Sequence, residues 1–325
     1  MRVRRLELSG RIWELSELIV DFHVHHKRHG ESIVNRILDE MKKVGVSYAV
    51  LLARDTNPTD LDRPEIRSKV EERYLTSRFV IASMSSDLLH LEEILDRMRA
   101  SLGRPTTNQE VAEVVKMHPD RFVGFGSINL CKDEEYVKAK LREVDELNLR
   151  GLKLIAPLQF FNPANSENIR IVYEHFKKRR KIIMCHSGTC PGPWEIPELA
   201  EDANPKYLEP IVGEYDVPTV IAHFGYYSSL VPGIWFSEAL KLGKKYANVW
   251  FDISAVAYIM GNEKIVGRIR SEVGMDRVLF GSDYLEYMGI SVDSVRKSPY
   301  LKEDEKNSIL GGNAAKLLQL KLPTG

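Results

Sequence analysis

Short apolar runs alternate with amphipathic helical patterns along almost all of the 325 residues. We predict eight strands from these runs, near residues 18–25, 46–53, 121–128, 151–155, 181–186, 218–223, 248–253 and 277–283. Helical patterns occupy the intervals, at 31–44, 108–118, 133–148, 167–179, 206–215, 234–246, 262–273 and 302–319, the last broken at Gly311 and Gly312. Strands that alternate with helices form a parallel sheet covered by helices, and eight strands close a barrel. The sequence therefore predicts one α/β domain, residues 1–325, folded as a (β/α)8 TIM barrel.

The connection between the second and third predicted strands, residues 54–107, is too long for a simple loop. The run RFVIAS at 78–83 predicts a further strand, or an alternative third strand, and LEEILDRMRA at 91–100 predicts a helix. We expect this region to be an insertion or an extended connection.

Metal-binding side chains recur at the ends of the predicted strands. His23 and His25 end LIVDFHVHH, and a period of two places them on one face of the strand, with Phe22 and Val24 on the other. Three further runs end in ligand-type residues, namely KIIMCHSG in His186, PTVIAHFG in His223 and RVLFGSD in Asp283. Strand ends of a barrel meet on one face, so two histidines of the first strand, a later histidine and the last carboxylate suit Zn²⁺ or a similar divalent ion. The alternative for the first pair is a core strand whose histidines are hydrogen-bonded to neighbours.

Three other residues lie near these runs. One of them has two possible roles, and the other two are explained by structural roles alone. Asp21 could orient the ligand histidines, or could be a buried acid paired elsewhere. Cys185 should face away from His186 and pack against a helix, and Asn313 is explained by helix capping after two glycines.

Composition excludes several classes of protein. Lys and Arg number 46 and so do Asp and Glu, so no net charge attracts nucleic acid or an anionic membrane. We expect neither secretion nor a membrane span, because no apolar segment follows the basic start MRVRRLELSG and no stretch approaches about 20 apolar residues. The three cysteines cannot all pair, which favours a reduced, cytoplasmic protein. We expect a small-molecule substrate as the partner and leave open a homo-oligomer.

The order of these motifs resembles the amidohydrolase superfamily. The resemblance extends from LIVDFHVH through RGLKLIAPLQFF, CHSG, AHFG and FGSD to ILGGNAAKLL, and is closest to the amidohydrolase-related branch with aminocarboxymuconate-semialdehyde decarboxylase-like enzymes. It implies that His23, His25 and His186 bind one divalent metal, most simply Zn²⁺, and that Asp283 is a ligand or accepts the proton of metal-bound water. His223 would polarise the substrate or move a proton.

Lys153 corresponds by this resemblance to the fourth-strand lysine that is carbamylated and bridges two metals in binuclear members. Many members of the branch are mononuclear, so we place an ordinary charged Lys153, in contact with substrate or in a salt bridge, ahead of a carbamate with a second metal.

Substrate contacts should come from the loops that follow the strands. We name as substrate-binding candidates Arg28, Arg54, Gln159, Phe161, Trp194 and Tyr284. An arginine pairs well with a carboxylate, and the aromatic residues favour a small cyclic or unsaturated acid.

Three functions remain open at this stage. The first expectation is a metal-dependent hydrolase of an ester, lactone or amide-like bond in a small substrate. The alternative is a non-oxidative decarboxylase of an unsaturated or aromatic acid on the same site, and the third is a non-catalytic metal-binding barrel. A closed structural zinc site would not need a polar mouth, which argues against the third.

Overall fold

The structure, a computed structural model, describes residues 5–8, 11–14, 18–28, 31–83 and 91–320. Its centre is an eight-stranded sheet in which each strand is parallel to its neighbours. The strands are β1 (Val20–Val24), β2 (Tyr48–Leu52), β3 (Phe122–Gly126), β4 (Gly151–Leu154), β5 (Ile182–Cys185), β6 (Thr219–Ile221), β7 (Val249–Asp252) and β8 (Val278–Leu279). The eight predicted strands are therefore confirmed, each shorter than expected.

The sheet closes between its first and last strands. The backbone N–H of Phe22 donates to the carbonyl of Phe280 at 2.9 Å, and that of Asp283 donates to His23 at 2.8 Å. This closure confirms the predicted (β/α)8 barrel.

Helices surround the barrel and bury their apolar stripes against the outer face of the sheet. They are α1 (Val34–Val44), α2 (Pro64–Leu75), α3 (Arg78–Ser83), α4 (Leu91–Leu102), α5 (Asn108–Met117), α6 (Glu134–Glu146), α7 (Glu167–Arg179), α8 (Pro197–Ala200), α9 (Glu209–Glu214), α10 (Phe236–Lys245), α11 (Glu263–Glu272), α12 (Met288–Arg296), α13 (Glu303–Asn307) and α14 (Asn313–Leu317). A π-helical turn, Ser308–Gly312, separates the last two helices at the predicted glycine break. Within the described ranges, no helix is long and apolar enough to cross a membrane.

The barrel interior is filled from the end opposite the strand C-termini. Val20, Val50 and Val220 pack inside together with Ala314 and Leu317 of α14. Asn313 is buried at the start of this helix, and its amide donates to the carbonyls of Met275 and Val278 at 2.8 and 2.7 Å. The expected helix-capping role is wrong, since Asn313 instead fastens α14 to the beginning of β8.

The insertion between β2 and β3 is helical. Residues 78–83 form α3 rather than a strand, and α4 confirms the helix predicted for 91–100. The apolar side chains of α2 and α4 form a separate cluster with residues that follow β4 and β5, including Leu158 and Trp194. Because every barrel strand already has two neighbours, the barrel offers RFVIAS no open edge, and the prediction of a strand there is wrong.

Candidate active site

A cavity of about 660 Å³ opens at the C-terminal ends of the barrel strands. Six of the residues singled out as chemical groups in the sequence line it, namely His23, His25, Lys153, His186, His223 and Asp283. A cavity of this size suits a small-molecule substrate.

The first group of donor atoms comes from the C-terminal ends of β1 and β8, the two strands that meet where the barrel closes. Asp283 Oδ1 lies 3.4 Å from His23 Nε2 and 3.5 Å from His25 Nε2. Burial lowers the pKa of His23 to about 4 and that of His25 well below its ordinary value, so both rings are neutral. Neutral imidazoles and a carboxylate within 4.8 Å of one another are a set that can hold a divalent ion.

The backbone is strained where it delivers Asp283. This residue has a φ of 67°, in the left-handed region that aspartate tolerates better than most side chains. Just before it, a Cβ on Gly281 would lie 2.9 Å from the Cβ of Ser254 and 3.0 Å from that of His23. Glycine therefore allows β8 to approach β1 closely enough for Asp283 to reach the histidines.

Asp252, at the end of β7, completes the surroundings of His23 and was missed in the sequence. Its Oδ2 lies 2.9 Å from His23 Nδ1, and its Oδ1 accepts the backbone N–H groups of His223 and Ser254. Burial would raise the pKa of Asp252, but the neighbouring His23 and its hydrogen bond outweigh burial and hold that pKa below the ordinary value. The run NVWFD ends in a carboxylate just as the other strands end in ligand-type residues, so a signal was present.

The hydrogen bond to Asp252 fixes the tautomer of His23. A carboxylate only accepts, so Nδ1 carries the proton and the lone pair of Nε2 faces the cavity. Histidines that bind metals commonly donate their other N–H to a carboxylate in this way. His23, His223 and Asp252 also lie within 4.8 Å of one another, but here Asp252 serves as a hydrogen-bond acceptor.

Asp21 does not contact the imidazole of His23. Its Oδ1 accepts the backbone N–H groups of His23 and Ser282 at 3.2 and 2.9 Å. The strand register shifts between Asp21 and Val24, so the simple period of two fails here. Phe22 accordingly packs inside the barrel against Phe125 instead of outside with Val24. Asp21 thus holds the backbone that carries His23, whereas Asp252 orients its ring.

His186 and His223 form the second group of donor atoms. His223 Nε2 lies 3.2 Å from His186 Nδ1. The opposite nitrogens face carbonyl oxygens, of Ser254 at 2.9 Å from His223 Nδ1 and of Thr189 at 3.0 Å from His186 Nε2. If the nitrogens that face the carbonyls carry the protons, the two nitrogens that face each other both carry lone pairs, and a cation or a shared proton between the rings would stabilise that arrangement.

His186 is therefore not grouped with His23 and His25. Its Nε2 also lies 3.0 Å from the thiol sulfur of Cys190, and its Nδ1 faces His223 rather than Asp283. The predicted ligands converge on one cavity, but the structure divides them into two groups.

Lys153 lies between these groups. Its Nζ is 3.3 Å from His23 Nε2 and 3.6 Å from the sulfur of Met184, with the side chain fully buried. Burial lowers the pKa of Lys153. The described residues place no carboxylate in ion-pair contact with it, so the expected salt bridge is not seen, while contact with a substrate in the cavity stays a prediction.

Two of the predicted substrate-binding residues, Arg54 and Tyr284, line the cavity. Arg54 donates from Nη2 to the carbonyl of Ser101 at 3.1 Å and to that of Arg104. The side chain of Arg28 lies outside the described residues.

Three other predicted contacts face elsewhere. Gln159 is fully buried and uses its amide to bind the loops, accepting from Ile155 and donating to Asp55, Ser127 and Ile128. Phe161 packs in the layer outside the sheet, and Trp194 packs in the cluster of the insertion. These side chains support the loops, and the expectation that they touch substrate is not supported by their placement.

Comparison with known proteins identifies relatives across most of the chain. The model of the amidohydrolase family matches residues 20–320. A 2-amino-3-carboxymuconate-6-semialdehyde decarboxylase of Dictyostelium discoideum is 23% identical over an alignment of 247 residues, and the match covers 66% of this chain and 65% of the relative. The chain thus matches somewhat less than two thirds of the length of that curated relative.

Solved structures share the fold. An uncharacterised TIM-barrel protein of Bordetella bronchiseptica has a TM-score of 0.65 at 18% identity, over 93% of this chain and 99% of its own. A dihydroxybenzoic acid decarboxylase of a Polaromonas species, solved with manganese and the inhibitor 2-nitroresorcinol, has a TM-score of 0.60 at 15% identity, over 93% and 97% of the two chains. At these identities the similarity supports the barrel fold alone.

Proposed function

Because this chain belongs to the amidohydrolase family, an enzyme family, we propose that it is a metal-dependent non-oxidative decarboxylase of a small unsaturated or aromatic carboxylic acid. The observation that carries the choice is the similarity over 247 residues to a 2-amino-3-carboxymuconate-6-semialdehyde decarboxylase. This reverses the order given from the sequence, where hydrolysis came first. Membership of an enzyme family also argues against a non-catalytic barrel.

The donor set fits a divalent metal. His23, His25 and Asp283 would hold it, since their donor atoms lie within 4.8 Å of one another and Asp252 keeps the His23 lone pair directed at the cavity. When bound, such an ion supplies positive charge that binds and polarises an oxygen of the substrate. Zn²⁺ stays the predicted ion, although manganese occupies the Polaromonas enzyme.

A second ion stays the alternative. The facing lone pairs of His186 and His223 and the buried amine of Lys153 support it more strongly than the sequence did. A carbamate on Lys153 would give this buried side chain the negative charge that two cations require. The predicted single ion and this binuclear site differ in their metal content, which elemental analysis measures.

The chain's own side chains would move the proton. In decarboxylation a proton adds to the carbon that bears the carboxylate, and the new C–H bond takes the electron pair of the adjacent C=C bond. The C–C bond to the carboxylate then breaks, its electron pair re-forms that C=C bond and carbon dioxide leaves. His223 lines the cavity, its Nδ1 is fixed by the Ser254 carbonyl, and its Nε2, 3.2 Å from His186 Nδ1, would accept and donate the proton. Arg54, which also lines the cavity, would pair with a substrate carboxylate through N–H groups not used on Ser101 and Arg104.

The test is a panel of aromatic acids, unsaturated acids and lactones given to the metal-containing protein. Carbon dioxide release and water addition are followed in parallel on every compound, with chelator-treated protein as the control. We expect carbon dioxide release that depends on metal. Turnover of lactones by water addition, without carbon dioxide release from any acid, would contradict the proposal and restore the hydrolase.

A further inference from the structure

The loop after β5 forms one wall of the cavity. We call this loop, residues 187–196, the strap. Cys190, Pro191, Gly192 and Pro193 of the strap line the same cavity as the metal-binding side chains. The position of the strap therefore determines the shape of the space in which a substrate lies.

The carboxylate of Glu195 holds the strap to the loop after β6. Its oxygens accept hydrogen bonds from the Thr189 hydroxyl at 2.8 Å and from the Tyr227 hydroxyl at 3.3 Å. They also accept from the backbone N–H and the hydroxyl of Ser229, each at 3.0 Å. Burial and the charge of Glu195 raise the pKa of Tyr227, so the phenol keeps its proton and donates. Hydrogen bonds to a charged acceptor are roughly twice as strong as those between neutral groups, so Glu195 joins the two loops firmly.

The backbones of the two loops are joined as well. The N–H of Thr189 donates to the Tyr227 carbonyl at 2.8 Å, and Gly188 lies beside Tyr227 in a parallel bridge. Gly188 has a φ of 112°, and a Cβ at this position would collide with the Tyr227 carbonyl oxygen. Only glycine allows so close an approach in this backbone conformation. The backbone contacts therefore join the same two loops as the side chain of Glu195.

Thr189 connects Glu195 to the histidines of the cavity. It is fully buried, and its hydroxyl is held by Glu195. Its carbonyl oxygen lies 3.0 Å from His186 Nε2. A hydrogen bond donated by Nε2 to this carbonyl orients the imidazole ring of His186. Movement of the strap would therefore displace both the wall and the partner of this ring.

The strap is also anchored in the insertion. Trp194 is 1% exposed and belongs to the apolar cluster that contains Leu95 and Met98 of α4. The carbonyl of Trp194 accepts the N–H of Cys190 at 3.1 Å, which closes the turn that lines the cavity. Because Glu195 follows Trp194 directly, its hydrogen bonds determine whether the strap is fixed to the barrel loops as well as to the insertion.

We propose that Glu195 is a positioning residue that fixes the strap as a rigid wall of the cavity, and that this wall limits the size of the acid that binds. Glu195 does not line the cavity, so it acts through the strap and through Thr189 instead of touching substrate. The inference rests on the proposed function only for the choice of acids as ligands. A wall that cannot move outward excludes an acid larger than the cavity accepts.

Hydrogen exchange of the metal-containing protein tests the fixing of the strap. Glu195→Gln keeps the size of the side chain but replaces one accepting oxygen by an amide nitrogen that only donates. We expect the backbone amides of Thr189 and Ser229 to exchange at least about tenfold faster, while amides of the barrel strands stay unchanged. Glu198→Gln is the matched control, because Glu198 accepts from Ser77 of the insertion at 2.8 Å. Unchanged exchange in the strap of Glu195→Gln, or equal acceleration in both variants, would overturn the proposal.

Calorimetric titration tests the selection by size without turnover. Benzoate and 1-naphthoate, acids of one and two rings, are titrated into metal-containing wild type, Glu195→Gln and Glu198→Gln. Wild type should bind benzoate more tightly than naphthoate. We expect Glu195→Gln to reduce this ratio of affinities at least about fivefold, the size of one or two lost hydrogen bonds, and Glu198→Gln to leave it unchanged. An unchanged ratio in Glu195→Gln, or no preference for benzoate in the wild type, would overturn the selection by size.

The two proposals fail in different ways. A size preference that depends on Glu195, in a protein that releases no carbon dioxide from any acid, would overturn the decarboxylase and keep the role of Glu195. Decarboxylation of one-ring and two-ring acids with the same KM in wild type and Glu195→Gln would overturn the role of Glu195 and keep the decarboxylase.

Discussion

The barrel strand ends and the insertion face the same cavity but offer it different kinds of group. His23, His223 and Asp252 are at most 2% exposed and are joined by hydrogen bonds of 2.9 Å. Arg97 of the insertion also lines the cavity, but it is exposed and has no fixed partner among the described residues. Buried groups held by partners suit chemistry that needs fixed geometry, whereas an exposed side chain suits contact with a part of the substrate that does not react. The barrel should therefore determine the rate, and the insertion with the strap packed against it should determine the choice of acid.

The insertion is held to the barrel by a buried carboxylate. Asp202, between α8 and α9, accepts hydrogen bonds from Lys69 and Arg73 of α2 and from Asn162 after β4. Asp202 therefore links the insertion to the barrel without contacting the residues that line the cavity.

The largest effect should come from the barrel carboxylate at the cavity. Asp283→Asn removes the charge that faces His23 and His25, so we expect turnover to fall by about two to four orders of magnitude on every acid. Steady-state kinetics on a monoacid and a diacid measure this. Near-normal turnover would remove Asp283 from the chemistry, and a loss on one acid only would break the division between barrel and insertion.

Replacement of His223 separates the two reactions. If His223 donates the proton, neither Asn nor Ala can replace it, because neither side chain acts as an acid or base. Both variants should therefore lose at least about 100-fold in turnover. A hydrolase would use His223 to polarise a carbonyl, and His223→Asn would then retain more activity than His223→Ala. Equal, mild losses would contradict both roles and leave His223 as a packed residue.

Asp252→Asn should weaken metal binding by about 10- to 100-fold, the range for residues that orient a ligand histidine. The amide keeps the size of the side chain but removes the carboxylate that accepts from His23. Competition with a chelator measures the affinity. Asp55→Asn is the matched control, because Asp55 accepts from Asn129 and Tyr136 at 2.8 Å and contacts neither histidine group. Equal weakening in both variants would contradict an orienting role.

Asp202→Asn should destabilise the protein by about 1–3 kcal/mol without changing kcat on a monoacid, since the partners Lys69 and Arg73 are partly exposed. Burial raises the pKa of Asp202, but the hydrogen bonds and charges of Arg73 and Lys69 outweigh it and hold that pKa below the ordinary 3.8. A lowered pKa stabilises the fold above the unfolded value, and this contribution is lost as pH falls through the folded value.

The difference in thermal stability between wild type and Asp202→Asn should therefore shrink below about pH 3.8, the ordinary carboxyl pKa. Asp62→Asn, whose exposed carboxylate pairs with Arg99 at 3.3 Å, should change stability by less than about 0.5 kcal/mol at any pH. A difference that grew toward acid pH would contradict the role assigned to Asp202.

The barrel could be predicted from the sequence because an apolar run followed by a helical pattern occurs eight times. The C-terminal ends of all eight strands lie on the same face of the barrel, so a residue at a strand end has a known position. His186 and Asp283 were found in this way although 97 positions separate them in the chain. The same rule applied to VWFD would have found Asp252. The register shift near Phe22 could not be read from the sequence, because it depends on how β1 meets its neighbour β2.

The insertion and the loops were harder to predict for a physical reason. RFVIAS is suited to a strand by its side chains, but whether a strand forms depends on a free sheet edge. Gln159 and Trp194 lie shortly after strands, as the cavity residues do. Their side chains are nevertheless buried among the loops and the insertion instead of facing the cavity.

The central claim is that carbon dioxide release depends on a metal ion held by the barrel histidines. The most direct test measures metal content and activity together. We predict about one divalent ion per chain, or about two if Lys153 is carbamylated, and the loss of both the ion and carbon dioxide release in the His23→Ala, His25→Ala double variant. Elemental analysis and carbon dioxide release are measured on the same preparations. Undiminished carbon dioxide release from protein shown to be free of metal, or full metal content in the double variant, would contradict the account.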